Sequence, residues 1–582
     1  MEDAEDPPIP DQAPPAAPEL ARLVDLAGLG EATLAEFGLE LARLAAELEA
    51  AFGPEAGLAA APPRRALDLA HLRDDRPLER HRAGLWLAEA PERSGELLKV
   101  PPALGAREAT PSSPPPSSWT SPAPASPGLD PWNALVARRD PAPGGAGPLA
   151  GLTFAVKANL ACEGLETTAA SRALFGWHAP YTATVVRRLE AAGARAVATA
   201  NMDEFAMGSS GEHSAHGPTV NPWSSPDEPL APGGSSSGSA AAVAAGLVSV
   251  ALGSDAGGSV RQPAALCGVT GLRPSRGRLS RFGLVAFASG FDTVGPIARG
   301  AAELAPVFGA MSGADPRDAT SGAPALAPDF DGWSGVRVGV PRRLLDELGD
   351  GLEPAVAGSF AAALRELEAL GARLVDVELT SAEASLSAYH VVSCAEAASN
   401  LARFDGARFG PRPGLADDAP PAAFDELVTR VRDAGFGGEV KRRILIGTLA
   451  LARPRRKRGG DGRRRLFAAA AEVRERVSAE FAAAFDGADL IALPTSPTCA
   501  FPLGARLADP MAMYRADLLT VPASLAGLAA LSLPGPAAGP LPVGVQLLAA
   551  PGRDEFLLAA GAAWQARHPH HERRPAGAED AP

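Results

Sequence analysis

The chain is short of several things, and each shortage excludes a class of function. Only four cysteines occur in 582 residues, Cys162, Cys267, Cys394 and Cys499. They lie far apart and form no CxxC pair, which argues against a zinc site or a disulfide framework and fits reduced thiols in a cytosolic setting. Positive charge is in deficit. The net charge is −14, and gripping nucleic acid over a broad face needs clustered lysine and arginine. No long apolar run exists, because the Ala/Gly-rich stretches are broken by proline or charge, so no segment reads as a membrane span. The acidic, proline-rich start MEDAEDPPIPDQAPPAAP lacks the basic flank and apolar stretch of a secretory signal. Lysine is scarce too: Lys99, Lys157, Lys441 and Lys457 are the only four among 54 basic residues. Arginine is the default cation here, so a retained lysine asks for a reason.

The remainder is the composition of a globular protein, 46% apolar and 21% charged, with a length that predicts one large α/β domain plus additions. Residues 1–18 read as a leader. Within 19–52, Leu34, Phe37, Leu41, Leu44 and Leu48 recur at steps of three and four, which stacks them on one helix face. Residues 53–104 read as extended. Residues 105–130, with ATPSSPPPSSWTSPAPASPG, read as a semi-rigid linker, since proline and serine at this density bury little apolar area. A domain follows over 131–566, and 567–582 is a polar tail. Strands are predicted at Leu152–Lys157, Ala194–Ala200, Val248–Gly253, Val336–Val340, Leu374–Leu379, Leu490–Leu493 and Val543–Leu548. Helices are predicted at Thr184–Ala192, 355–370 and 466–485. This alternation predicts an α/β fold with a largely internal sheet. The basic stretch RPRRKRGGDGRRR at 453–465 reads as a solvated loop, with a local contact to RNA or an acidic partner as the alternative.

Chemistry concentrates between 231 and 274. Gly233-Gly234 precedes Ser235, Ser236 and Ser237; an alanine-rich helix and an apolar strand follow, then Asp255-Ala256-Gly257-Gly258-Ser259. A linker does not recur inside a folded pattern, and a phosphate loop would need GxxxxGK[ST]. A nucleophilic serine explains more, with the backbone N–H groups of Ala256, Gly257 and Gly258 converging on an oxyanion. Serine needs a base. His213 and His216 lie in a polar loop, and no GxSxG elbow is evident. Lys157 sits in the apolar segment GLTFAVKANL, where burial disfavours the ammonium and lowers its pKa. A neutral lysine accepts a proton, which arginine does not. A buried lysine–carboxylate pair is the competing explanation.

Together these segments resemble the amidase signature family, strongly over 150–310 and more loosely to about 550. The resemblance implies an α/β amidase signature fold, a central mixed sheet covered by helices on both sides. It also implies a Ser–cis-Ser–Lys triad with Ser259 as nucleophile, Ser235 as the bridging serine on a cis peptide and Lys157 as base. NMDEFAMGSS (201–210), RQPAALCGVTGLRPSRGRLSRFGLVAFASGFDTVGP (261–296), SNLARFDGARFG (399–410), EVKRRILIGT (439–448) and MYRADLLTVPASLAGL (513–528) are similar to the A subunits of tRNA-dependent amidotransferases in particular. That resemblance implies a glutaminase whose substrate is held by Arg443, Asp517 and Tyr389, with no metal or cofactor for this step. It implies a partner B subunit, carrying ATP, magnesium and most of the aminoacyl-tRNA contact, in the cytoplasm and away from membranes. LRDDRP (72–77) and APERSGELLKVPPAL (90–104) resemble the tail of the small C subunit, so 19–104 reads as a C-like segment fused in front of an A-like domain. Ala256, Ser237 and the 453–465 insert depart from that pattern, where threonine, glycine and a tyrosine-rich stretch are usual. The alternatives are a free-standing amidase on another small amide and a scaffold without activity.

Overall fold

The computed structural model describes residues 93–94, 97–98, 130–139, 145–326, 330–379, 382–411, 424–451 and 466–576. The leader, the helical pattern of 19–52, the linker up to 129 and the basic insert at 453–465 lie outside the described residues. Residues 52–121 form a unit by themselves, in which Arg93–Ser94 pairs antiparallel with Leu97–Leu98.

The main unit is built on one sheet of eleven strands. In chain order they are β1 (Leu135–Arg138), β2 (Thr153–Lys157), β3 (Arg195–Ala200), β4 (Val250–Asp255), β5 (Thr270–Arg273), β6 (Thr293–Ala298), β7 (Arg337–Val340), β8 (Arg373–Asp376), β9 (Leu490–Pro494), β10 (Ala529–Pro534) and β11 (Gly544–Ala549). Their spatial order is β8-β7-β9-β11-β10-β5-β6-β4-β2-β3-β1. Pairing is parallel for β8–β7, β7–β9, β4–β2 and β2–β3, and antiparallel elsewhere, so the sheet is mixed as expected.

The helices flanking this sheet include α1 (Thr184–Ala191), α2 (Ser237–Ala244), α3 (Arg261–Cys267), α4 (Ala301–Met311), α5 (Pro354–Ala369), α6 (Ala382–Asn400), α7 (Gly438–Leu451), α8 (Leu466–Gly487), α9 (Val521–Ala526) and α10 (Asp554–Arg567). Strand alternation divides the core into two. Phe154 and Val156 of β2, with Val250 and Leu252 of β4, join α1, α4, α5 and α10 in the larger cluster. Ala155 and Ala251 face the other way, onto α2 and α3. Lys157 is two positions beyond Ala155, so the period of two puts it with Ala155 on the α2 and α3 face.

Helix α2 lies wholly in the interior, every one of its residues buried. Small side chains permit that approach. A Cβ on Gly238 would stand 2.2 Å from the Ala134 carbonyl oxygen, so glycine is required there. Helix α3 stops at Gly268, which takes the left-handed conformation (φ 67°) that ends many helices.

Strands β1, β5, β6 and β10 carry little signal in the sequence. Strand β6 contains Pro296 opposite Leu252, where proline normally argues against a central strand. Strand β10 reads AALSLP, poor in β-branched residues. Tertiary pairing overrides both.

Candidate active site

The site is assembled where the C-terminal ends of β2 and β4 meet the start of α2. Lys157 is the last residue of β2 and is completely buried. Its Nζ lies 2.8 Å from Ser235 Oγ, 2.9 Å from Ser236 Oγ, 2.9 Å from Ser254 Oγ and 3.3 Å from the Ser254 carbonyl oxygen. Among the described residues no carboxylate comes within salt-bridge distance of it. The competing explanation, a buried lysine–carboxylate pair, is therefore not what holds this lysine. Burial brings its pKa down from 10.5 to about 7, opposed by the more distant Asp203, Asp255 and Asp292. Near neutral pH the amine is about half unprotonated, as a base must be.

The peptide bond between Gly234 and Ser235 is cis. The Gly234 N–H donates to Gln262 Oε1 at 2.9 Å, and Gln262 Nε2 donates to the Ser209 carbonyl at 2.9 Å. Ser236 stands at the N-cap of α2, yet its hydroxyl makes no cap bond. It turns to the Ser254 carbonyl instead, at 3.2 Å. The Ser236 N–H donates to the Ser259 carbonyl at 3.1 Å, which holds the two serine segments side by side.

Ser259 closes a turn after β4 and is nearly buried. The expected relay from Ser259 to Ser235 is not joined by a hydrogen bond in this conformation: Ser259 Oγ has no partner among the described residues. Catalytic hydrogen bonds often close only around a reacting group. The N–H groups of Ala256, Gly257, Gly258 and Ser259 likewise have no acceptor among the described residues. Four successive free donors beside a serine hydroxyl are the kind of group that can stabilise an oxyanion.

The turn is held from behind by a network that the residue pattern alone does not predict. Arg261 donates from Nε to Asp255 Oδ2 and from Nη2 to Asp255 Oδ1, both at 3.1 Å, and to the Gly257 carbonyl at 3.0 Å. Arg273 donates to Asp255 Oδ1 at 3.0 Å. All three side chains are fully buried. Burial alone would raise the Asp255 pKa, but the two guanidiniums outweigh it and hold the carboxylate ionised well below its ordinary range. The Gly257 carbonyl also accepts from Ser524 Oγ at 3.1 Å, so two buried donors fix this peptide. Both arginines lie within the family-like stretch 261–296, but nothing in their spacing shows that they share one carboxylate. Asp203 carries no sequence signal of a role either. It is buried against Gly234 and accepts from the N–H groups of Gly211 and His213.

Two of the expected substrate residues, Tyr389 and Asp517, lie against the same turn. A Cβ on Gly257 would meet Tyr389 at 2.8 Å, and one on Gly258 would meet Asp517 Oδ1 at 2.9 Å. Asp517 Oδ2 accepts from Ser209 Oγ at 2.5 Å, whereas Oδ1 is buried with no partner. Burial raises its pKa to about 7. Arg443, on α7, is buried, unlike an ordinary surface charge. Its Nε donates to Glu439 Oε1 at 2.8 Å, leaving the Nη fork with no hydrogen-bond acceptor among the described residues. Burial works against its charge, but Glu439 outweighs burial and the guanidinium stays protonated. His390, not anticipated from sequence, stacks on Tyr514 with ring centroids 3.9 Å apart. Burial, then Arg443, drives its pKa well below 6.5, and its Nε2 is unpartnered. His213 and His216 lie in the expected loop and make no hydrogen bond to Lys157, Ser235 or Ser259.

A family model described as Amidase matches residues 134–558. The chain belongs to the amidase family. Its relatives include the A subunit of glutamyl-tRNA(Gln) amidotransferase from Symbiobacterium thermophilum, 47% identical over 77% of this chain and 88% of that one. The corresponding protein of Moorella thermoacetica is also 47% identical, over 74% and 85%. Among solved structures, the A subunit of glutamyl-tRNA(Gln) amidotransferase from Thermotoga maritima superposes with a TM-score of 0.61 at 38% identity, covering 75% of this chain and 88% of that one. A Ser–cis-Ser–Lys triad is characteristic of this family. The four cysteines are buried and free of disulfides, and among the described residues no helix is long and apolar enough to cross a membrane.

Proposed function

We propose that this chain is the glutamine-hydrolysing component of a tRNA-dependent amidotransferase. The observation that carries the chemistry is the Lys157 amine, fully buried, faced by hydroxyls rather than carboxylates, with its pKa near 7. Neutral Lys157 takes a proton from Ser235, and Ser235 takes one from Ser259. Ser259 Oγ then attacks the side-chain amide carbon of glutamine, and the N–H groups of 256–258 hold the resulting oxyanion. The proton returns to the leaving nitrogen, and ammonia departs. Water then cleaves the glutamyl ester, regenerating Ser259 and releasing glutamate.

Recognition of a free amino acid needs one cation and one anion at fixed separation. The unpartnered Nη fork of Arg443 suits a bidentate contact with the α-carboxylate. The unpartnered Oδ1 of Asp517 suits the α-ammonium, and Tyr389 lies against Gly257 of the same turn. On this reading ammonia passes to a B subunit that uses ATP and magnesium to amidate Glu-tRNA(Gln), Asp-tRNA(Asn) or both in the cytoplasm. We further infer that 19–104 acts as a tethered C-like segment, whose link to the amidase domain raises its effective concentration there.

The test is glutaminase activity with and without a B subunit, in wild type, Ser259→Ala and Lys157→Arg. Ammonia released from glutamine by wild type and lost in both variants supports the reading. Efficient hydrolysis of unrelated amides, with glutamine ignored, would favour a free-standing amidase.

A further inference from the structure

Three of the nine histidines fall within four positions, His568, His570 and His571, in a segment that takes no part in the amidase chemistry. His568 caps the C-terminus of α10, and His570 opens a short 3-10 turn. Both imidazoles face Glu366, near the end of α5 and some two hundred residues earlier in the chain. His570 Nε2 lies 3.0 Å from Glu366 Oε1 and His568 Nδ1 3.6 Å from the same oxygen. The three donor atoms all lie within 4.8 Å of one another. We propose that Glu366, His568 and His570 bind one divalent transition-metal ion, zinc above others, which clips the C-terminal turn onto α5.

The donor set decides the class of ion. Two imidazole nitrogens and one carboxylate oxygen suit zinc and its borderline neighbours, whereas magnesium and calcium prefer oxygen alone. Distance agrees with this choice. A tetrahedral ion with bonds of about 2.0 Å sets its ligand atoms about 3.3 Å apart. The two measured edges to Glu366 straddle that value, and the edge between the two imidazoles is no longer than 4.8 Å. Trp564, buried on α10, donates its indole N–H to Glu366 Oε2 at 3.0 Å. That bond fixes the carboxylate as an outer-shell partner does in known metal sites. The three side chains keep 20–28% exposure. An ion can therefore enter, and water can complete the shell. One anion and two neutral rings leave a single negative charge for the ion to offset. Because the ligands come from α5 and from beyond α10, binding favours the folded state over the unfolded chain.

The test uses the full chain stripped with a chelator, titrated with zinc(II) and cobalt(II), with magnesium(II) as control. Expected are one equivalent of zinc, a thermal midpoint that rises to saturation at that equivalent, and no response to magnesium. Cobalt should give the intense visible absorption of a tetrahedral site, a readout that needs no substitution. His568→Asn/His570→Asn should weaken zinc binding by at least ~100-fold, and Trp564→Phe by ~10–100-fold as an outer-shell loss. Glutaminase activity should not change in the histidine variant, since neither residue touches the serines or Lys157. Two results would overturn the proposal: a wild-type cobalt spectrum that is purely octahedral and weak, or zinc binding with the same affinity in the histidine variant. Either leaves a hydrogen-bonded His–Glu pair and nothing more.

Discussion

Replacing Lys157 with arginine keeps a cation of similar length but one that does not give up its proton. The wild-type amine, at a pKa of about 7, is about half neutral at pH 7. A lysine left at its ordinary 10.5 would be neutral in roughly one molecule in three thousand, so burial raises the population of base by about three orders of magnitude. Expressed as energy, that preference for the uncharged form is on the order of 5 kcal/mol. Arginine, with an ordinary pKa above 12, forfeits all of it, and general-base catalysis itself contributes about 10²–10⁴-fold. Lys157→Arg should therefore lower the turnover number for ammonia release by ~10²–10⁴-fold. In the wild type the turnover number should rise with pH through about 7 and then level off, because the neutral amine is the active form and protonation removes it. The assay is initial-rate ammonia release at saturating glutamine across that range, with circular dichroism to verify folding. A variant within tenfold of wild type, or a wild-type profile flat through neutrality, would refute the role given to this amine.

Asp517 should respond to pH in the same direction for a different reason. Its pKa is raised to about 7 by burial, so below neutrality it is an uncharged acid that cannot pair with the glutamine ammonium. The KM should fall as pH rises through about 7, and Asp517→Asn should abolish that dependence while raising KM far more than it lowers kcat. Gly257→Ala would thrust a methyl to 2.8 Å from the Tyr389 ring, and should cut kcat/KM by at least ~30-fold with little change in far-UV signal. Arg261→Met leaves Asp255 with Arg273 and the Val260 N–H, and leaves the Gly257 carbonyl with Ser524 Oγ as its remaining donor. It should cost ~3–5 kcal/mol of stability by denaturant titration, and an effect under about 1 kcal/mol would contradict the network's role.

Some of this was legible in the sequence because it is local. A single lysine in an apolar strand, in a chain that otherwise uses arginine, pointed to Lys157. The repetition of a Gly-Gly-Ser pattern after a helix and a strand pointed to Ser235 and Ser259. Predicted helix 355–370 and observed Pro354–Ala369 nearly coincide. The strand expected at Leu374–Leu379 forms one residue earlier and ends at Asp376. What was not legible depends on residues distant in the chain. Ser254 and Ser236 share the Lys157 amine because β2, β4 and α2 converge, which no spacing reveals. The charge balance of Asp255, Arg261 and Arg273 exists only once β5 pairs beside β6. Strand β6 carries a proline that local propensity counts against it, and the neighbours on both sides decide its conformation.

The scarcity of lysine makes the central claim directly measurable. With four lysines in the chain, selective ¹⁵N labelling gives four side-chain amine resonances, and Lys157→Arg identifies the one that matters. The Lys157 resonance is expected to titrate near pH 7. A Lys157 amine that stays protonated until about pH 10 would contradict it.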